Sequence, residues 1–93
     1  MQVLGLHHVS INVSDVDAAL GFYTDVLGLS ERTDRPDFGF GGAWLDAGDQ
    51  QIHLLGAGSP PNLGQHLALR VPDLDAAVAE VRSRGVGVTE PAP

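Results

Sequence analysis

Cysteine is absent from the 93 residues, which excludes a disulfide framework and thiolate chemistry. Basic residues are scarce, with five Lys and Arg against twelve Asp and Glu and a net charge of −7. That balance excludes a nucleic-acid partner and an anionic membrane surface, both of which need clustered cations. No apolar run approaches the ~18 residues of a membrane span, and nothing at the start reads as a signal peptide. A cytoplasmic location is therefore expected. The length allows one domain with a modest core.

What is present is a repeat. Shifting the chain by 58 positions lays His8 to Leu20 over His66 to Val78, with six identities: His8/His66, Val13/Val71, Asp15/Asp73, Asp17/Asp75, Ala18/Ala76 and Ala19/Ala77. A helix pattern alone could repeat the Ala-Ala pair. It would not also place a His seven residues ahead of an Asp-x-Asp twice.

Residues 6–13 alternate and are rich in β-branched types, the signature of a strand. Strand parity puts Val9, Ile11 and Val13 on one face with His7, and His8, Ser10 and Asn12 on the other. Ser14 or Asp15 opens a helix whose stripe is Val16, Ala19, Leu20, Tyr23, Val26 and Leu27, stopped by Gly28. Three strands follow, at 29–35, 40–47 and 50–55, the last two joined by a Gly48-Asp49 hairpin turn. A linker at 57–64 leads to the second copy. There a strand begins at His66, a helix capped by Asp73 carries Leu74, Ala77, Val78 and Val81 and ends at Gly85, and a short strand covers 86–89. Leu20 and Val78 are expected as buried equivalents.

Parity also gathers the candidate site. His8, His53 and His66 each lie on the face opposite their apolar neighbours, and three imidazoles on one concave face suit a divalent ion such as Zn, Ni, Mn or Fe. His7, on the helix side, is read as structural. Trp44 and Phe40 are read as core aromatics, with pocket lining as the alternative, and Arg32 to Asp37 as a loop over the cavity or plain surface. Arg70 is read as a solvated cation.

The segments HHVSINVSDVDAALGFYTDVLG, WLDAGDQQIHLL and QHLALRVPDLDAAVAEVRSRGV resemble the vicinal-oxygen-chelate superfamily, which includes glyoxalase I, extradiol dioxygenases, methylmalonyl-CoA epimerase and bleomycin-resistance proteins. The resemblance implies an α+β fold of paired βαβββ modules in one domain over 1–93: module one at 4–56, the linker, and a partial module two at 65–93. It places family metal ligands on His8, His53 and His66. The usual last ligand, a Glu on an eighth strand, has no counterpart, and the chain reads as two strands short. The implied activity is that of a metal-dependent enzyme, a divalent ion chelating adjacent oxygens of a small-molecule substrate. The alternatives are a metal-free, ligand-sequestering protein of the bleomycin-resistance type and an inactive scaffold. An uncovered sheet edge and the family habit of pairing modules imply a homodimer.

Overall fold

Alternation in the first strand does what parity predicts. The structure, a computed structural model, describes residues 1–90, so the last three residues of the expected second module lie outside the described residues. The chain divides into two compact units, Met1–Pro61 and the remainder from Asn62.

The first unit is a βαβββ module. β1 spans His8–Asn12, α1 Val16–Gly21, β2 Ser30–Glu31, β3 Gly42–Ala47 and β4 Gln50–Leu55. The four strands form one mixed sheet in the order β1-β4-β3-β2, with β1 and β4 parallel and the other pairs antiparallel. In β1, Val9 and Ile11 are half-buried while His8, Ser10 and Asn12 are exposed. Leu45, Ile52, Leu54 and Ala43 form the buried core, and Val9, Ile11, Val13, Ala19, Leu20 and Tyr23 pack against it. Each of the largest core side chains removes enough apolar surface to stabilise the fold by about 1.5–3 kcal/mol. Gly48, at φ 64°, makes the hairpin that sets Ala47 opposite Gln50. Leu20 is half-buried rather than buried, because α1 lies at the edge of this small core.

The Asp15 side chain caps α1 by accepting from the Ala18 amide at 3.0 Å. The expected continuous helix to Leu27 then changes form: Phe22–Val26 is a π-helical turn, with the Leu27 amide bonded to the Phe22 carbonyl at 3.2 Å. The cause is visible in the repeat. Thirteen positions separate Asp15 from Gly28, and twelve separate Asp73 from Gly85. A π turn absorbs one extra residue without disturbing either end. The Thr24 hydroxyl donates to the Leu20 carbonyl at 2.9 Å and so satisfies a group beside the widened turn.

Two expected strands of this unit are shorter than their patterns. The 29–35 segment is a strand only at Ser30–Glu31; one further backbone bond, from the Arg32 amide to the Trp44 carbonyl at 2.7 Å, ends the pairing, and Pro36 brings no amide to a ladder. The 40–47 strand starts at Gly42, after Gly39 at φ 80° and its amide bond to the Asp37 carboxylate have turned the chain.

In the second unit, α2 spans Leu74–Ser83, capped by Asp73 accepting from the Ala76 amide at 3.0 Å and followed by Gly85 at φ 80°. Arg82 pairs with Glu90 at 2.9 Å. The strands expected at 66–71 and 86–89 are not formed among the described residues. A strand exists only through a partner's hydrogen bonds, and neither segment has a ladder. Val78 is half-buried, and Leu69, Val71 and Leu74 remain exposed at 41%, 46% and 55%.

Candidate functional site

The face of the first sheet opposite α1 is built by residues alternating with the core. Leu45 faces inward on β3, so Trp44 faces outward. Ile52 and Leu54 face inward on β4, so His53 faces outward. Register sets Trp44 directly opposite His53, with Ser10 of β1 on the other side. The three rings His8, His53 and Trp44 consequently form one stack. His8 and His53 lie 4.0 Å apart at 12°, and His53 and Trp44 4.2 Å apart at 10°. His53, the central ring, is only 7% exposed. Its Nε2 donates to the Gln51 side-chain oxygen at 2.8 Å, so its polar edge is satisfied. Burial pushes its pKa below the usual histidine range, with His8, His7, Arg32 and Arg35 adding to the effect.

This stack walls a cleft of about 610 Å³, within the range of small-molecule sites. The 32–40 loop supplies the facing wall. Phe38 sits 6.1 Å from Trp44 and 6.0 Å from Phe40. Arg35 lies over Phe38 at 5.1 Å and over Phe40 at 5.5 Å. Arg32 is held at 2.8 Å by both Asp34 and Asp46, which raises its pKa and lowers that of Asp34, chiefly through their shared hydrogen bond.

The three expected ligands are thus distributed as follows. His8 and His53 share the open face of the first sheet. His66 belongs to the second unit, where it is exposed and its Nδ1 donates to the Gly64 carbonyl at 3.0 Å. That bond leaves Nε2 as the acceptor in the neutral ring. Among the described residues, no three His, Asp or Glu side chains form a group that could hold a metal ion. The stack explains part of this. An imidazole lone pair lies in its ring plane, so the lone pairs of these two rings lie in near-parallel planes, with the ring centroids 4.0 Å apart. An ion ~2.0–2.1 Å from a nitrogen of each would lie out of plane for at least one ring. As they stand, His8 and His53 do not fit a shared ion.

Three residues enter the cleft against their sequence reading. His7 lines it, with its Nδ1 2.8 Å from that of His8. His7 precedes β1, and although its carbonyl accepts from the Gln51 amide at 3.1 Å, its ring turns to the cleft beside that of His8. Trp44 is a wall of the cleft and not a core residue, and Phe40 is 46% exposed. Continuing the parity of Ala43 and Leu45 through β3 would have found Trp44. Phe38 carried no signal beyond being aromatic in a glycine-rich loop.

Residues 5–93 match the family described as the Glyoxalase/Bleomycin resistance protein/Dioxygenase superfamily. Glyoxylase I 4 of Arabidopsis thaliana is 34% identical over 73 residues, covering 78% of this chain and 42% of that protein. The mitochondrial methylmalonyl-CoA epimerase of Mus musculus is 30% identical over 95 aligned positions, covering 87% of this chain and 53% of that protein. The chain spans about half the length of these curated relatives. Among solved structures, an antibiotic binding protein from a Streptomyces species superposes with a TM-score of 0.74 at 29% identity, over 100% of this chain and 80% of that one. No helix among the described residues is long and apolar enough to cross a membrane.

Proposed function

We propose, since this chain belongs to the Glyoxalase/Bleomycin resistance protein/Dioxygenase superfamily, that the cleft of its first unit binds a flat, aromatic small molecule and holds it by stacking. The observation that carries this reading is the His8–His53–Trp44 stack, which covers both faces of His53 and leaves one face each of the end rings, His8 and Trp44, outside the stack. Offset stacking on an end ring adds about 0.5–1.5 kcal/mol beyond burial. The antibiotic binding protein of similar fold supports a sequestering role. Trp44 is the only tryptophan in the chain and reports on the cleft directly. Anthracene-2-carboxamide, a neutral planar probe, should quench its fluorescence saturably. Linear, collisional quenching up to the solubility limit would rule the reading out.

The second reading is a metal-dependent enzyme, with a divalent ion such as Zn, Ni, Mn or Fe held by His8, His53 and His66. It is favoured by the similarity to a glyoxylase and an epimerase, and by the Gly64 bond that leaves Nε2 of His66 as an acceptor. It requires the exposed His8 ring to leave the stack. Elemental analysis of untagged protein separates the two: near-stoichiometric metal, lost in His66→Ala and kept in His7→Ala, supports the enzyme. The expected homodimer belongs to either reading and is tested by sedimentation.

A further inference from the structure

Both cationic side chains of the first unit, Arg32 and Arg35, line the cleft, although the unit as a whole is acidic. Arg32 is neutralised by Asp34 and Asp46. Arg35 forms no ion pair among the described residues. It is nevertheless fixed. One terminal nitrogen donates to the Phe40 carbonyl at 3.0 Å, and its guanidinium lies over two phenyl rings. It also occupies the space above Gly42, where a Cβ would stand 2.8 Å from the same nitrogen. A guanidinium has five N–H donors, so four remain for a ligand. The wall runs without a break from Arg35 through Phe38 and Trp44 to His53 and His8.

We infer that Arg35 is an anion-recognition residue, and that the cleft selects flat aromatic molecules bearing a carboxylate at one edge. The inference rests on the stacking reading above and specifies its ligand class. A ligand ring packed among the aromatic side chains that line the cleft brings an edge substituent to the free donors of Arg35, and a planar carboxylate matches the guanidinium fork with two parallel bonds. Because the cation is already held in place, little side-chain freedom is lost on binding. Partial desolvation by the phenyl rings strengthens the charge-assisted bonds relative to water.

The test compares anthracene-2-carboxylate with anthracene-2-carboxamide by Trp44 fluorescence at pH 8, above the range in which imidazole ordinarily takes up a proton. The full chain should bind the carboxylate about tenfold or more tightly than the amide, as charge-assisted hydrogen bonds imply. Arg35→Gln should bring that ratio to about 1, within the roughly twofold scatter of single-contact effects. In the unsubstituted protein, the Arg35 side-chain NMR resonances should move with the carboxylate and stay still with the amide. A ratio near 1 in the unsubstituted protein, a ratio retained in R35Q, or unmoved Arg35 resonances would overturn the inference while leaving the stacking reading intact. Failure of both probes to bind would remove the stacking reading and this inference with it.

Discussion

Asp15 and Asp73 do the same work in the two units, whereas Val13 and Val71 do not. Both aspartates cap a helix by accepting from the amide three residues on, at 3.0 Å in each case. Both helices are followed by a glycine with positive φ. Val13, by contrast, donates to the Leu55 carbonyl at 2.8 Å and continues the pairing of a four-stranded sheet, while Val71 lies outside any ladder and is 46% exposed. One pattern, written twice, gives a helix twice and a sheet strand once. Helix caps and stops act within a few residues of themselves. Strand pairing has to be supplied from elsewhere, and only the first unit contains β3 and β4 to supply it.

The largest expected difference between the units is in core truncation. Leu45→Ala, at a fully buried position, should lose about 2–5 kcal/mol in urea unfolding followed by Trp44 fluorescence. Leu74→Ala in α2, 55% exposed, should stay within about 0.5 kcal/mol by helical circular dichroism. Equal losses would mean that the second unit has a core of the same quality.

Glycines sharpen the same comparison. A Cβ at Gly42 meets the Leu54 carbonyl oxygen at 2.5 Å as well as Arg35, whereas one at Gly87 meets nothing within 4 Å. Gly42→Ala should therefore cost about 1–3 kcal/mol. Gly87→Ala should be neutral or stabilise by up to about 1 kcal/mol, through the entropy of the unfolded chain. Thermal melts of the two variants read both signs.

The caps, where the units agree, should respond alike. Asp15→Ala and Asp73→Ala should each destabilise their helices by about 1 kcal/mol in thermal melts. A cap effect confined to the first unit would show that helix formation in the second is not local.

The smallest effect expected is one of pH. Burial holds the folded-state pKa of His53 below the ordinary imidazole value of about 6.5, so the unfolded chain takes up this proton first. The contribution is therefore fully present above about pH 6.5 and declines as the pH falls below it. Urea midpoints at pH 8 and pH 5.5 should differ more in the parent than in His53→Gln.

Much of the first unit is legible from sequence because its signals are local or strictly periodic. Alternation gave the faces of β1 and β4 and put His8 and His53 together. Cap and glycine signals gave both helix starts and stops. The π turn was written in the one-residue difference between the two Asp-to-Gly spacings, although helical periodicity alone conceals it. The illegible parts depend on partners distant in sequence. Residues 66–71 carry a strand's pattern and form none. Trp44 reads as core until its neighbours on β3 are seen to face the other way. Arg35 lies in the loop read as covering the cavity or as plain surface, but nothing in the sequence singles it out there, because its position is set by Phe38, Phe40 and the space over Gly42. For the expected metal ligands, parity holds for His8 and His53, which lie on strands, and does not reach His66, whose segment forms none; ring orientation carries no sequence signal.

Residue-by-residue amide exchange tests the comparison most directly, because the same residue type can be read in both copies of the pattern. The Val13 amide, bonded into the sheet, should show a protection factor at least about a hundredfold above that of Val71, as expected for ladder against unladdered backbone. Equal protection at Val13 and Val71 would contradict the account, since the second copy would then be held in a ladder of its own.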